Sequence, residues 1–310
     1  MGECGSKIIV VAHDAGGAEI LASWIKRNRI SNFEMVLEGP AIAVFERRLG
    51  WLKNRCVEKE IRNGLGGKSW VLTGSGWQSD LEWSAIRIAK KRSIRVVTYL
   101  DHWVNYEERF TRHDVECLPN EIWVGDQYAF KIARASFPTV NVTLVPNPLF
   151  ADIQELQEQK VSSSADDQVR ILYVCEPVAE HAKKRYGNEK HWGYTEFEAL
   201  DYFFENLERI VDRKSISHIT IRPHPAEDLD KYSYLDAKES EWPPIRRSYQ
   251  QVLVDEIAGH DWVFGCESMA LVIAVLMGKK VFSCIPPNGK KCNLPHQEIK
   301  HFRKLFELES

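Results

Sequence analysis

Three absences narrow what this 310-residue chain does before any motif is considered. An excess of one charge is missing: 41 basic and 44 acidic side chains leave a formal net charge of −3, so no global positive field marks a nucleic-acid binder. Long apolar runs are missing: the longest, residues 269–277 (MALVIAVLM), has nine residues, where a membrane-spanning helix needs about 20. Paired cysteines are missing: seven cysteines, an odd number with no C-x-x-C, argue against a zinc site or a disulfide framework and fit reduced thiols. The opening residues 1–12 carry neither a basic n-region nor a cleavage site, so a soluble cytoplasmic protein is expected. No repeat of 20–50 residues is visible. What is present is ordinary globular material, 44% hydrophobic and 27% charged, with 13 Phe, 10 Tyr and 10 Trp to build cores. At roughly 100–200 residues per domain, the length allows two domains.

Short β-branched runs alternate with helical patterns. Residues 7–12 (KIIVVA), 70–73 (WVLT), 94–100 (IRVVTYL), 121–125 (EIWVG) and 142–145 read as strands. Between them lie a helix opened by Gly16 and Gly17, one started by Ser79 with Glu82 at capping-box spacing, and one capped by Asp126. The second half repeats this: strands at 169–174, 218–222, 261–264 and 280–284, with helices after Thr195, at 249–258 and at 267–277. Thr195 and Glu198 form a second capping-box pair. Alternating strands and helices predict an α/β protein with two Rossmann-like parallel-sheet domains facing a cleft. The expected boundaries are 1–148 for the first domain, 149–168 for a linker whose residues 160–168 (KVSSSADDQ) are nearly all polar, and 169–293 for the second. Ile299, Phe302, Leu305 and Phe306 predict a C-terminal helix within 294–310, able to pack back across the hinge.

In open parallel sheets ligands bind at the carboxyl ends of strands, so the residues just after each strand carry the functional signal. His13 and Asp14, followed by Gly16 and Gly17, supply a general base or an anion donor; the same glycines also read as a turn that lets strand and helix pack. Gly74, Ser75, Gly76 and Trp77 form a second such loop. After the next strand come Asp101, His102, Trp103 and Asn105, with acid–base groups and an aromatic ring able to stack a sugar. In the second half Glu176 ends one strand, and Arg222, Pro223, His224 and Pro225 (RPHP) end another. The prolines fix that turn, leaving guanidinium and imidazole as recognition groups for phosphate or carboxylate. Gly265–Ala270 (GCESMA) sets Ser268 and Met269 at a helix start, either an anion seat with Glu267 on a ribose or a plain N-cap. No H-x-H, H-E-x-x-H or D-x-D spacing appears, nor GxGxxG, a Walker loop or GxSxG, so no metal and no cofactor is expected. Lys290, Lys291, Lys300, Arg303 and Lys304 make a basic C-terminal stretch, read as a solvated helix face or as a peripheral contact with the inner face of the cell membrane.

Taken together, the strand-end groups and the order RPHP, GCESMA and KKVFSCIPP resemble the GT-B glycosyltransferases of bacterial surface polysaccharides (capsule and lipopolysaccharide), of sialyl-, Kdo- and related nonulosonate type. In that family an HP motif and a Ser-containing helix start hold the nucleotide phosphate; His224, Pro225 and Ser268 are the matching positions. The acidic D/E-D-G triplet that accompanies HP in bacterial sialyltransferases is missing, and Asp14 or Asp101 would substitute. The resemblance implies a metal-independent transferase with a nucleotide-sugar donor, a CMP-linked acidic sugar favoured, and a saccharide or glycoconjugate acceptor. Donor contacts fall on Arg222, His224, Pro225, Glu267, Ser268, Met269 and Glu176; the base is His13, Asp14 or Asp101; acceptor contacts are Gly16, Gly17, Gly76, Trp77, His102, Trp103 and Asn105. The same fold serves nucleotide-sugar 2-epimerases and a UDP-sugar hydrolase, and a non-catalytic binding subunit of this fold is a third expectation.

Overall fold

A computed structural model describes residues 6–50, 69–77, 79–159, 168–225, 227–228, 230–238, 241–248 and 251–306. The chain divides into two compact units, Met1–Asp152 and Ile153–Ser310. Of the expected linker residues 160–168, all but Gln168 lie outside the described residues.

In the N-terminal unit, β1 (Lys7–Ala12), α1 (Ala15–Arg27), β2 (Phe33–Leu37), α2 (Ala41–Leu49), β3 (Ser69–Thr73), α3 (Leu81–Lys91) and β4 (Val96–Leu100) alternate along the chain. They are followed by α4 (Tyr106–Phe110), a small antiparallel hairpin of β5 (Thr111–Arg112) and β6 (Val115–Glu116), then β7 (Glu121–Val124), α5 (Gln127–Ser136), β8 (Asn141–Leu144) and α6 (Pro148–Gln159), a helix that crosses the boundary between the units. Six of these strands form one all-parallel sheet in the order β2-β1-β3-β4-β7-β8. A central parallel strand is covered on both faces, which is why β1 is an unbroken apolar run; Ile9 to Ala12 have no exposed surface. Trp24 of α1 packs on Trp123 of β7 and Trp70 of β3, with ring centroids 5.3 and 6.3 Å apart. Asp152 ties helices together by accepting from Ser23 Oγ (2.5 Å), Arg27 Nε (2.6 Å) and Arg48 Nη1 (2.7 Å).

The C-terminal unit contains β9 (Val169–Val174), α7 (Val178–Tyr186), α8 (Glu196–Leu207), β10 (Ile216–Arg222), β11 (Ile245–Arg247), α9 (Leu253–Ala258), β12 (Trp262–Gly265), α10 (Met269–Leu276), β13 (Lys280–Ser283) and β14 (Ile299–His301). Its sheet is also all parallel, in the order β11-β10-β9-β12-β13-β14. The Thr195–Glu198 capping box forms in both directions, the Thr195 amide donating to Glu198 Oε2 (2.9 Å) and the Glu198 amide to Thr195 Oγ1 (3.3 Å). The core is aromatic: Phe264 stacks on Phe282 at 4.6 Å and lies 4.8 Å from Phe203.

Two helical expectations are corrected. The helix predicted from residue 249 runs only over Leu253–Ala258; residues 249 and 250 lie outside the described residues. The C-terminal segment, predicted to be a helix, instead enters the sheet as β14 beside β13 and then makes one 3-10 turn, Phe302–Leu305. Its apolar spacing fits both forms, because a 3-10 turn also brings residues i and i+3 to one face. Pairing with the β13 edge satisfies the backbone of Ile299 to His301, and Phe302 is fully buried against Phe264 and Phe282. The basic stretch is accordingly not a helix face. Lys290 Nζ donates to Glu267 Oε1 (2.9 Å) and Arg303 Nη1 to the Gly289 carbonyl (3.1 Å). Among the described residues no helix is long and apolar enough to cross a membrane.

Candidate functional site

Each sheet reverses direction once in its strand order. In the N-terminal unit, the chain steps from β1 outward to β2 and then resumes on the other side of β1 at β3; in the C-terminal unit the reversal lies between β9 and β12. At such a switch point the two loops leave in opposite directions and a crevice opens at the strand carboxyl ends. His13 and Asp14 with Gly74, Ser75 and Gly76 occupy the first; Glu176 with Cys266, Glu267 and Ser268 occupy the second.

At the first switch point, Asp14 is the N-cap residue of α1 but makes no side-chain cap. Its Oδ1 lies 2.8 Å from His13 Nδ1 instead, which leaves the His13 Nε2 directed at Gly39. A Cβ at Gly39 would fall 2.7 Å from that nitrogen, and its φ of +54° independently favours glycine. His13 and Asp14 side chains are 24% and 28% exposed, so the pair is reachable from solvent. Beneath it sits Glu82, at the start of α3, only 2% exposed. The Ser79–Glu82 capping box predicted from sequence does not form. Ser79 Oγ accepts from the Leu81 amide (3.1 Å), whereas Glu82 turns inward and its Oε1 accepts the His13 amide (2.8 Å). Among the described residues Glu82 Oε2 is buried with no hydrogen-bond partner. Burial pushes the Glu82 carboxyl up to about 8; the charges of Asp14 and, less strongly, Asp101 add to this, and the His13 amide opposes it. Sequence reasoning missed this residue as a functional group.

The other residues predicted for this edge divide by what they touch. Asp101 accepts Ser75 Oγ (2.7 Å) and Arg109 Nη1 (3.2 Å) on Oδ1, and Arg109, itself buried, also donates to the Ser75 carbonyl (2.7 Å). That lock joins the loops after β3 and β4. Gly16 and Gly17 provide close approach: a Cβ on Gly16 would meet Asp101 Oδ2 at 2.9 Å, and one on Gly17 would meet Gly74 Cα at 3.4 Å. Gly76 is flanked by two carboxylates: a Cβ there would lie 2.7 Å from Asp14 Oδ2 and 3.0 Å from Glu82 Oε1. Trp103 is buried and donates Nε1 to Asp126 Oδ2 (2.8 Å), so its indole anchors the loop rather than offering a stacking face. His102 lies beside it at 5.8 Å. Asn105 begins α4 in the left-handed region at φ 57°, a conformation asparagine tolerates. Trp77 is half-buried after Gly76.

At the second switch point, Glu176 Oε1 accepts the amides of Glu267 (2.7 Å) and Cys266 (3.2 Å). Burial raises its carboxyl to about 7, helped by the Glu267 charge and opposed by the two amides and Lys290. Glu267 is committed on both oxygens, Oε1 to Lys290 and Oε2 to the Asn293 amide (2.8 Å). Ser268 is the N-cap of α10, its Oγ accepting the Ala270 amide at 3.2 Å. That serine thus caps the helix, whose first amides, Met269 among them, have no intrahelical partner.

The RPHP loop is held from below by charge. Arg222 donates Nη1 to the Gln251 carbonyl (2.9 Å) and pairs with Glu256, which is 2% exposed, so its charge is neutralised within the unit. Arg222 is thus held by Glu256 and the Gln251 carbonyl. The His224 amide donates to Glu227 Oε2 (2.7 Å), and the His224 ring lies 6.3 Å from that of His181 of α7 in a T-shaped pair. Burial, and then the neighbouring His224, keep His181 below the usual histidine range. Pro225 follows in the turn. Lys231 joins the buried Glu227 (2.7 Å) to the buried Glu196, and Glu196 Oε2 accepts the Ala179 amide (2.7 Å) at the start of α7. Sequence reasoning missed His181, although it follows β9 closely, and missed the Glu227–Lys231–Glu196 network, which joins a pair four residues apart after β10 to the start of α8. Among the described residues no group of three or more His, Cys, Asp or Glu side chains is placed to hold a metal ion.

The sequence matches no protein-family model and no curated protein. In structure, the chain is similar to UDP-GlcNAc 2-epimerase from Methanocaldococcus jannaschii, at 11% identity and a TM-score of 0.58 over 89% of this chain and 83% of that one. It is also similar to UDP-GlcNAc 2-epimerase from Neisseria meningitidis bound to UDP-GlcNAc, at 12% identity and a TM-score of 0.54 over 89% of this chain and 82% of that one. The fold is therefore of GT-B type, with two Rossmann-like parallel-sheet α/β units.

Proposed function

We propose that the chain is a metal-independent nucleotide-sugar enzyme, a glycosyltransferase acting on a surface polysaccharide or glycoconjugate acceptor. The observation that carries this is the different chemistry at the carboxyl ends of the two sheets. The C-terminal unit, as the nucleotide-sugar-binding domain, offers an imidazole at His224 and the start of α10 at Ser268 and Met269, which together suit a pyrophosphate or phosphate. These groups offset the charge that develops as the nucleotide leaves. Glu176 and Glu267 shape the turn that presents them. The N-terminal unit, as the acceptor-side domain, offers a carboxylate–imidazole pair. Asp14 on Nδ1 fixes the His13 tautomer, and Nε2 removes the proton of an acceptor hydroxyl. Asp101, locked by Ser75 and Arg109, positions the loops instead of acting as the base. Trp77, His102 and Asn105 stand at the same edge as acceptor contacts.

A preference for a CMP-linked acidic sugar needs the Arg222 guanidinium to meet the donor. With Arg222 paired to Glu256, the donor is assigned only as a nucleotide sugar. The likeness of fold to an epimerase holding UDP-GlcNAc supports that class of ligand.

A second reading, a nucleotide-sugar 2-epimerase or hydrolase, draws on one feature. Acid and base lie on one edge, with Glu82 a neutral carboxylic acid beside the His13–Asp14 pair, as a reaction within a single sugar requires. Product analysis separates these. The transferase consumes nucleotide sugar only when a saccharide acceptor is added and yields a glycosylated product. Donor consumption without acceptor favours the epimerase or hydrolase, and nucleotide affinity without any turnover marks a binding subunit.

A further inference from the structure

The buried carboxyl of Glu82 takes no part in the transfer step itself. It is 2% exposed, it is held by the amide of the very residue assigned as base, and among the described residues its Oε2 has no partner. A buried carboxyl with an unmatched oxygen is costly unless the protein uses it. Its surroundings say what for. Asp14 Oδ2 and Glu82 Oε1 both converge on Gly76, within 2.7 and 3.0 Å of the place a Cβ would occupy. Two carboxylates this close, one of them buried, repel if both are charged.

We propose that Glu82 is a positioning residue for the His13–Asp14 pair, which stays assembled while Glu82 holds a proton and is pushed apart when Glu82 loses it. Neutral Glu82 accepts the His13 amide and lets Asp14 sit on Nδ1. Ionised Glu82 drives the Asp14 carboxylate away from Gly76 and so away from the imidazole. The titratable groups around it are Asp14 and His13 after β1, and Asp101 after β4, the last already compensated by Arg109 of α4. Burial chiefly, and then the Asp14 charge, place the loss of the proton at about pH 8. This deepens the proposed function, since it rests on His13 and Asp14 being the working pair.

The sign of the linkage is opposite to that of an ordinary paired carboxylate. Folded Glu82 keeps its proton up to about pH 8, whereas in the unfolded chain it is lost near about 4.3. Its contribution to stability is therefore complete below the unfolded value and gone above the folded one. Glu82→Gln keeps the oxygen that accepts the His13 amide and removes the titration.

Three readouts test this. In the wild-type protein the His13 amide resonance is expected to titrate with a midpoint of about 8; an amide unmoved between about pH 6 and 10 overturns the proposal. The melting temperature of Glu82→Gln relative to wild type is expected to rise steadily from acid to alkaline pH; two parallel profiles overturn it. The alkaline limb of kcat is expected to disappear in Glu82→Gln. Where the amide titrates and the melting profiles diverge but that limb persists, Glu82 positions the pair as proposed, and it is the assignment of His13–Asp14 as the reacting pair that fails.

Discussion

Replacing Lys231 by methionine is expected to destabilise the C-terminal unit by about 3–5 kcal/mol, the usual consequence of removing one member of a buried charged group. Lys231 lies between Glu227, whose side chain has no exposed surface, and Glu196, whose side chain is 5% exposed. Burial works against the Lys231 charge, but hydrogen bonds to Glu196 and Glu227 outweigh it and hold the ammonium above the ordinary lysine range. Methionine keeps the aliphatic stem and deletes the charge, so two carboxylates remain in an enclosed site with nothing to balance them. The effect is not confined to stability. Glu227 accepts the His224 amide and the Tyr232 hydroxyl (2.7 and 2.9 Å), and Glu196 accepts the Ala179 amide, so the RPHP loop and the start of α7 both lose their anchor. Calorimetry checks the size of the effect, expected as a fall in melting temperature of roughly 6–20 °C. The double substitution Lys231→Met with Glu196→Gln, which removes one of the stranded charges, is expected to recover a substantial part of it. Loss no greater than that of an exposed lysine, or no recovery in the double variant, contradicts the account of this network.

Replacing His13 by alanine is expected to lower kcat by about 10²–10⁴-fold, the range for loss of a positioned general base. Nucleotide affinity should not change, because the donor contacts belong to the other unit. The fold should also survive: the His13 side chain is 24% exposed, and its backbone amide still donates to Glu82. Asp14→Asn is expected to reduce kcat as well, by less or by a comparable factor, since an amide in place of the carboxylate no longer fixes the tautomer with its proton on Nδ1. Steady-state kinetics beside nucleotide titration gives the check. A fall in affinity that parallels the fall in kcat would move His13 into the donor site and contradict the division of chemistry between the units.

Much of the architecture is legible in residue order. Short β-branched, apolar-rich runs such as KIIVVA and VRILYV read as buried parallel strands, and they set the two sheets. Because strand ends are where such sheets bind ligands, residue order offers His13, Asp14, Glu176, His224 and Ser268 as candidates, and the structure sets them beyond strand carboxyl ends. What remains hidden depends on partners distant in sequence. Arg222 looks like a phosphate ligand until Glu256, 34 residues away, is seen to neutralise it. Glu82 matches capping-box spacing with Ser79, and only its burial beneath His13, 69 residues earlier, discloses another role. Trp103 offers an aromatic face on paper, but its indole N–H is committed to Asp126. The C-terminal spacing of Ile299, Phe302 and Leu305 fits a helix and a strand with a 3-10 turn equally well, and the open edge of β13 decides between them.

The central claim is that the carboxyl edge of the C-terminal sheet binds a nucleotide through His224 and the start of α10. Thermal-shift titration of the wild-type protein, His224→Ala and His13→Ala with CMP, CDP, UDP, GDP and dTDP tests it most directly. A ligand that binds only the folded state raises stability by RT ln(1 + [L]/Kd), about 2.7 kcal/mol at a hundred times Kd. At least one nucleotide is expected to raise the melting temperature of the wild-type and His13→Ala proteins alike, with apparent Kd weakened about 10–100-fold in His224→Ala, the value of one charge-assisted hydrogen bond. No shift with any of the five, or an equal shift in His224→Ala, would contradict it.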